Sequence, residues 1–326
     1  KPLIVTIRKR RYVCKHCNAT FTEENPYIKR YCHFPNRLYI ESLTESFRLQ
    51  SFTSVAKRLG VSVTSIIRWF DKLNCPHPKL PECIAIDEFR GNAGGEKFQC
   101  NVADPVKHKV IDILPSRNTE DLCKHFLEYP YKERAEVKKI VMDLSTLFRS
   151  VAKTMFPEAK IVADKFHVIR VVINSLENVR KRIQKEFHET KRKWFKRSRY
   201  LLLKPEYKLT DEDKTELARM LNSSYDLEKA YVLKERFYEV FRKQTRTEAK
   251  KELGNWLLLA ADLSLPEFRH CITTFSNWKT EIANIIGERV SNGFIEGSNN
   301  KIKVLKRISY GVRNFDRFRN RILYLE

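Results

Sequence analysis

The stretch ECIAIDEF at residues 82–89 places a carboxylate, Asp87, directly after four apolar residues. A short apolar run of this kind, with no helical spacing, is typical of a buried strand. Two similar segments follow, EKFQCNVADP (96–105) and HKVIDILPS (108–116), with turn signals between them. Together they predict three successive antiparallel strands.

Helices and strands then alternate along the chain. NTEDLCKHFLEYP (118–130) and STLFRSVAKTMFP (145–157) predict helices, and short apolar strands follow in VKKIVMDLS (137–145) and AKIVADKFH (159–167). The predicted order is β-β-β-α-β-α-β-α, which is the order of the RNase H-like fold. In that order the first and fourth strands are neighbours, and the fifth lies beyond the fourth.

The long segment that follows these strands is predicted to be helical. Residues 170–285 predict helices throughout, many of them strongly charged, and carry no strand signal, so we interpret them as an all-α insertion. The chain then returns with residues 286–326, which predict C-terminal helices carrying Glu296. The predicted fold class is multidomain, with an α/β RNase H-like core (79–169 and 286–326) interrupted by this insertion.

Residues 36–78 predict a helix-turn-helix domain. In SFTSVAKRLGVSVTSIIRWFDKL (51–73), Ala56 lies in a first short helix, Gly60 permits a tight turn and Ser62 caps a second helix. The second helix would enter a DNA major groove by its N-terminal residues. The predicted groove or phosphate contacts are Ser62, Thr64, Ser65 and Arg68. The alternative is an ordinary helical hairpin. Three prolines in NCPHPKLPE (74–82) favour a domain boundary near residue 78.

Residues 1–35 predict a partial zinc-binding module. Cys14 and Cys17 form a CxxC pair, which is half of a tetrahedral zinc site. Either Cys32 and His33 or a second CxxC upstream of Lys1 would complete it, and we favour the second. A chance pair of thiols is the alternative.

Charge and composition narrow the function. Sixty-three Lys and Arg against 40 Asp and Glu give a net charge of +23, which favours a nucleic-acid partner over a membrane or a small-molecule substrate. No apolar run approaches a membrane span, and the N-terminal segment lacks the features of a signal peptide. The eight cysteines are scattered, as in cytosolic proteins.

Carboxylates end three of the apolar strand runs, at Asp87, Asp143 and Asp164. Phosphodiester chemistry on this fold requires about three carboxylates around two divalent ions. Neighbouring strands lie ~4.8 Å apart, so Asp143 is expected one strand spacing from Asp87 and Asp164 two. We therefore predict that Asp87, Asp143 and Glu296 bind two Mg²⁺ or Mn²⁺ ions. Asp164, with His167 one helical turn later, is expected to shape the site. A turn or a helix cap is the alternative for each single acid.

Glu296 is the one acid in SNGFIEGSNNKIKVLKR (291–307), a run rich in amides and cations. A helix N-terminal acid, favoured by the macrodipole, is the simpler interpretation. The second interpretation is that Glu296 is a metal ligand beside a DNA backbone. In that case the predicted contacts to the scissile strand are Arg289, Asn292, Asn299, Asn300, Lys301, Lys303 and Lys306.

Four segments resemble the ISL-three family of bacterial insertion-sequence transposases: IAIDEF, VMDLS, IVADKFHVIRVV and GFIEGSNNKIKVLKRISYGVRNFDRFRNRI. RRYVCKHCNATFTE resembles the second half of that family's zinc module, whose first cysteine pair is absent here. The resemblance covers essentially the whole chain. It implies a DDE-type enzyme that cleaves DNA at terminal inverted repeats and then transfers the freed 3′-hydroxyl to target DNA.

The resemblance also assigns residues. The family's Asp, Asp and Glu correspond to Asp87, Asp143 and Glu296, and Asp164 with His167 resembles the C/D-x-x-H signature of transposases with an interrupted RNase H fold. It implies a homodimer or larger assembly on double-stranded DNA, in the bacterial cytoplasm at the nucleoid. The alternatives are a DNA-binding regulator without catalysis and another RNase H-like nuclease, such as a resolvase.

Overall fold

The computed structural model describes residues 6–28, 33–288, 290 and 292–325. An antiparallel hairpin comes first, and three helices follow it. Their bounds are β1 (Arg11–Val13), β2 (Thr20–Thr22), α1 (Asn36–Ser46), α2 (Phe52–Leu59) and α3 (Val63–Phe70).

Local sequence explains where α2 and α3 begin and end. The side chain of Ser51 accepts a hydrogen bond from the N–H of Ser54 (3.1 Å), and Ser62 accepts one from the N–H of Ser65 (3.1 Å). Each bond satisfies a backbone donor that the first helical turn leaves unpaired. Gly60 ends α2 with φ of +67°, a left-handed conformation that glycine adopts without steric cost.

The two short helices enclose a small core of their own. Val55, Ala56 and Ile66 are buried between them. The predicted pair of helices, with Ala56 inside the first and the turn at Gly60, is therefore confirmed.

A five-stranded mixed sheet lies within residues 83–163, in the order β5-β4-β3-β6-β7. Strands β3, β4 and β5 pair antiparallel, while β6 pairs parallel to β3 and β7 parallel to β6. The predicted order of elements and the adjacency of the first and fourth strands are confirmed. The bounds are β3 (Cys83–Phe89), β4 (Gln99–Asp104), β5 (Lys109–Leu114), β6 (Lys139–Met142) and β7 (Lys160–Ala163).

Four helices accompany this sheet along the chain. The short strands β6 and β7 have buried apolar residues at three successive positions, the pattern of parallel strands covered on both faces. The helices are α4 (Thr119–Leu127), α5 (Tyr131–Ala135), α6 (Thr146–Met155) and α7 (Lys165–Ile183). The last of these passes through the predicted boundary at residues 169/170 without interruption.

Residues 184–285, all of which are described, form helices and no strand, as predicted. Aromatic rings fill the interior of this helical region: the ring of Phe237 stacks on Phe275 (5.1 Å between centroids) and meets Trp256 edge-on (5.1 Å). The helices are α8 (Glu189–Arg197), α9 (Arg199–Leu203), α10 (Asp211–Leu221), α11 (Tyr225–Val240), α12 (Arg246–Asp262), α13 (Arg269–Asn277) and α14 (Lys279–Ala283). Within the described residues, no helix has the length and apolar character needed to cross a membrane.

The last two helices, α15 (Gly293–Ile308) and α16 (Phe315–Leu323), return to the sheet as predicted. α15 packs against β3 and β4, and α16 packs against β5. Their apolar faces meet the sheet in one buried cluster that includes Phe89, Ile113, Ile302, Leu305 and Phe318.

α16 also contacts the helix-turn-helix. Arg317 donates to both carboxylate oxygens of Asp71 (2.8 and 2.7 Å), and Arg321, which is 1% exposed, donates to the backbone carbonyl of Gln50 (2.6 Å). One helix therefore joins the three-helix bundle to the sheet.

Candidate active site

Three aspartates stand at one edge of the sheet because their strands are parallel neighbours. Ile86 of β3 is opposite Met142 of β6, so Asp87 and Asp143 follow at the same level. Met142 is opposite Ala163 of β7, which places Asp164 level with Asp143. The three apolar runs end at the same level in the sheet and an aspartate follows each, so the carboxylates come together at this edge.

Glu296 reaches this edge from the first turn of α15. The four acids line one cleft of about 600 Å³. Its remaining lining residues are Glu88, Lys165, Phe166, His167, Ile169, Arg170, Asn292, Gly293, Asn299 and Lys303. The structure thus gathers every predicted acid and the predicted histidine in one place.

Burial governs the ionisation of the two central aspartates. Loss of solvent raises the pKa of Asp87 to about 6, against the lowering effect of the Glu88 backbone N–H; the nearby charge of Asp143 adds to the rise. Burial likewise raises the pKa of Asp143. One oxygen of Asp143, Oδ1, is buried and has no hydrogen-bond partner in the described part of the chain. These are the properties of carboxylates suited to a divalent cation, which supplies the missing charge.

Asp164 is already engaged within the protein. Its Oδ2 caps α7 by accepting from the N–H of His167 (3.3 Å), and it lies 2.6 Å from the Nδ1 of the same histidine. This hydrogen bond raises the pKa of His167. The pair therefore presents an imidazole, with a carboxylate behind it, to the cleft that holds Asp87 and Asp143.

Asn299 lies behind Asp87. Its Nδ2 donates to Oδ2 of Asp87 (2.9 Å), and its Oδ1 accepts from Nδ2 of Asn101 on β4 (2.9 Å). Only 5% of Asn299 is exposed. The docking of α15 turns this amide, for which a phosphate contact is predicted, towards the sheet and the carboxylate of Asp87.

The other predicted strand contacts are spread along α15. Lys303 lines the cleft and donates to Oδ1 of Asn300 (3.3 Å). Lys306 donates to the backbone carbonyl of Arg90 (3.2 Å), and Lys301 lines a different pocket beside His108. The structure therefore brings Lys303 to the acids but places Lys301 and Lys306 elsewhere on the helix.

Two predicted contacts precede α15. Asn292 lines the cleft and is 4% exposed, with neither side-chain polar atom paired among the described residues. Arg289 lies outside the described residues.

Sequence reasoning missed several residues of the cleft. Glu88 lines it and pairs with Arg117 (2.6 Å). Asn101 is a buried amide on β4, which indicates a polar neighbour but does not identify it. Lys165 and Arg170 could have been found from Asp164, because the first turns of α7 begin at the cleft.

Comparison with known proteins bears on this cleft directly. A family profile described as "Transposase" matches residues 84–322, and one described as "Helix-turn-helix domain of transposase family ISL3" matches residues 23–74. The chain belongs to the ISL3 transposase family. The first match contains all five acids that line the cleft, and the second contains both short capped helices.

Two relatives of this ISL3 member are transposases of named insertion sequence elements. That of IS1001 from Bordetella parapertussis is 25% identical over 325 residues, covering 97% of this chain and 79% of the relative. That of IS1557 from Mycobacterium tuberculosis is 25% identical over 254 residues, covering 71% of this chain and 57% of the relative. An ATP-dependent protease of Lactococcus lactis is 36% identical over 94 residues, 28% of this chain and 26% of that protein, which is too short an overlap to carry an argument.

The second short helix of this ISL3 member presents its predicted contacts to solvent. Thr64 and Arg68 are exposed, whereas Ile66 and Phe70 on the opposite face are buried. Ser62 caps the helix by accepting from the N–H of Ser65, and the two hydroxyl oxygens lie 2.9 Å apart. The exposed face is thus free to meet DNA without disturbing the helical core.

The CxxC pair lies in the turn between β1 and β2. The N–H of Cys14 donates to the carbonyl of Ala19 (2.8 Å), and Asn18 closes the turn with φ of +56°. Backbone hydrogen bonds from Cys17 and His16 lower the pKa of Cys14, which favours the thiolate that zinc binds. The Cys14–Cys17 knuckle fits half of a zinc site. Cys32 lies outside the described residues, and His33 is exposed.

Proposed function

We propose that this ISL3 family member is a DDE-type transposase that cleaves DNA at the terminal inverted repeats of its insertion sequence and transfers the freed 3′-hydroxyl to target DNA. The observation that carries the proposal is the single cleft lined by Asp87, Asp143 and Glu296, which come from a strand, a strand end and a distant helix. The strand order β5-β4-β3-β6-β7 supports an RNase H-like core. On this reading residues 170–285 are an insertion that separates the second aspartate from the glutamate.

Asp87, Asp143 and Glu296 would hold two Mg²⁺ or Mn²⁺ ions, since both prefer carboxylate oxygens. When bound, such ions activate the attacking oxygen and stabilise the leaving oxygen of a phosphodiester. The buried, unpaired Oδ1 of Asp143 supports this ligand set within the described residues.

Other residues of the cleft have supporting roles in this proposal. Asn101 and Asn299 orient Asp87 through two 2.9 Å hydrogen bonds, so that its carboxylate keeps one position. Lys303 and Arg170, both exposed at the cleft, are placed to neutralise phosphates of the strand being cut.

Asp164 is proposed to position rather than to bind a metal. Its Oδ2 is occupied by two contacts to His167, and its strand β7 is separated from β3 by β6. The imidazole that it orients lies at the cleft wall, where it can contact a phosphate oxygen or a water.

DNA is the proposed partner of the whole chain. The net charge of +23 supplies attraction to the phosphate backbone, and the exposed face of α3 supplies sequence reading. Because two transposon ends must be paired, we propose at least a dimer on DNA. Because its proposed substrate is DNA, we propose that the protein acts at the bacterial nucleoid. Zinc bound by Cys14 and Cys17 would stabilise the N-terminal hairpin.

Arg68→Ala is expected to weaken binding to end DNA by about 1–3 kcal/mol, because the lost guanidinium lies on the exposed face of α3. Fluorescence anisotropy with end duplexes and with scrambled duplexes measures the change. Lys132→Ala, which removes an exposed cation from α5, is the matched control and should leave the preference for end DNA intact. Equal losses for both variants would contradict sequence reading by α3.

The ligand set is tested with crystals of an end-DNA complex soaked in Mn²⁺. We expect anomalous density among Asp87, Asp143 and Glu296, retained in Asp164→Asn and lost in Asp143→Asn. Density on Asp164 but not on Asp143 would overturn the assignment. No density with DNA bound would support a DNA-binding regulator, in which these acids are structural.

A further inference from the structure

A second group of metal-binding side chains lies away from the cleft. His77 belongs to the segment 71–82 between α3 and β3, while His125 is in the last turn of α4 and Glu128 directly follows that helix. One ligand atom from each of these three residues lies within 4.8 Å of the others. The residues come from two separate parts of the chain, so folding alone brings them together.

A buried carboxylate stands beside the two imidazoles. Asp112 on β5 is 1% exposed, and its Oδ2 lies 3.6 Å from Nδ1 of His77 and 3.8 Å from Nε2 of His125. Arg319 of α16 donates to the same oxygen (3.0 Å) and offsets the charge of Asp112. With both imidazoles neutral, the group carries one net negative charge, that of Glu128, which suits a divalent cation.

The second observation is an unpaired nitrogen. His125 is 9% exposed, and its Nε2 is buried without a hydrogen-bond partner among the described residues. That nitrogen faces Asp112 and the His77 ring, whose centroid is 5.5 Å from its own. The rings of Phe126 and Tyr129 pack edge-on against His125 at 5.3 and 5.7 Å and make the surroundings apolar. A buried imidazole nitrogen without a partner is costly unless something binds it.

We propose that His77, His125 and Glu128 form a zinc site, separate from the catalytic cleft and from the CxxC knuckle. Two imidazoles and one carboxylate are a ligand set that zinc accepts, with water in the fourth position. The Nε2 of His77 lies 3.0 Å from Glu128, whereas its Nδ1 faces Asp112. This is the arrangement in which a ligating histidine is oriented through its other nitrogen by a carboxylate.

The site's position gives it a consequence for the fold. The segment 71–82 is the only covalent connection from α3 to β3, and Asn320 of α16 holds it at the carbonyl of Leu73 (3.1 Å). Zinc shared by His77, His125 and Glu128 would fix the same segment to the C-terminal end of α4. The DNA-reading helices, which α16 already joins to the sheet, would then have a further attachment that depends on zinc.

The test uses the full chain carrying Cys14→Ser and Cys17→Ser, which removes the knuckle thiols, with Mg²⁺ in excess. Bound zinc per chain is counted after gel filtration, and affinity is measured by competition with a chelator. His77→Ala and, independently, Glu128→Gln are expected to lose one zinc per chain. Loss of outer partners alone weakens metal binding about 10–100-fold, so loss of a direct ligand should weaken it by at least ~100-fold.

His270→Ala removes an exposed histidine from α13 and is the matched control. Hydrogen exchange supplies a second readout, independent of any activity: zinc should slow exchange in residues 74–82 of the control but not of His77→Ala. If His77→Ala and Glu128→Gln bind as much zinc as the control, the proposal is wrong. In that case the contacts of His77 to the two carboxylates hold the segment without a metal.

Discussion

Asp143→Asn is expected to reduce DNA cleavage by at least ~10³-fold while leaving binding to end DNA unchanged. The amide keeps the shape of the side chain but loses the charge that would hold a cation. The position lies directly after β6 and outside the helix-turn-helix, so DNA recognition should not change. A cleavage assay on labelled end duplexes and an anisotropy titration with the same duplexes measure the two quantities.

Glu296→Gln is expected to be as severe as Asp143→Asn, because both line the same cleft. Glu158→Gln, a change at an exposed position between α6 and β7, is the control and should retain full activity. Asp164→Asn should retain measurable Mn²⁺ binding and fall between these limits, since it disturbs only the orientation of His167. Cleavage by Asp143→Asn at the rate of Glu158→Gln would refute the catalytic assignment.

Asp87→Asn is expected to stabilise the chain at neutral pH when a chelator keeps divalent cations away. Burial raises the pKa of Asp87 from its ordinary value of 3.8 to about 6. Because the folded-state pKa is the higher one, the native state is favoured below 3.8 and loses this advantage as the pH rises through 6. The asparagine does not ionise and carries no such loss.

The difference in free energy of unfolding between variant and parent should therefore grow in favour of the variant. We expect a growth of about 2 kcal/mol between pH ~4.5 and ~7.5, measured by urea denaturation in a chelator. The cost of changing the hydrogen bonds to Asn299 and Glu88 is constant, so it cancels when the variant–parent difference at one pH is subtracted from that at the other. Glu120→Gln, on the exposed start of α4, provides a matched control whose difference from the parent should not follow this course. A variant–parent difference that does not change with pH would show that burial does not raise the pKa of Asp87.

Much of the fold was predictable because its signals are local. The apolar runs before Asp87, Asp143 and Asp164 identify strands, and the chain order then implies their neighbours in the sheet. Ser62 and Gly60 identify the short capped helices by the backbone conformations that they favour. The acids of the cleft followed from the same reasoning, since parallel strands end at the same edge.

The surroundings of those acids were not predictable in the same way. Asn299 stands in a run of polar and basic residues, and only the docking of α15 on the sheet turns it towards Asp87. Its partner Asn101 is 198 positions away along the chain. The approach of His77 to His125 likewise depends on where the segment 71–82 runs, which no local pattern encodes.

The position of Glu296 after the long helical region has a consequence during protein synthesis. The ribosome makes the DNA-reading helices and both central aspartates first, then the long helical region, and only afterwards α15 and α16. Until those helices emerge, the sheet lacks the cover provided by Ile302, Leu305 and Phe318, and the cleft lacks its third carboxylate. A nascent chain tethered beside the gene that encodes it would therefore bear no complete form of the proposed catalytic centre until α15 has emerged.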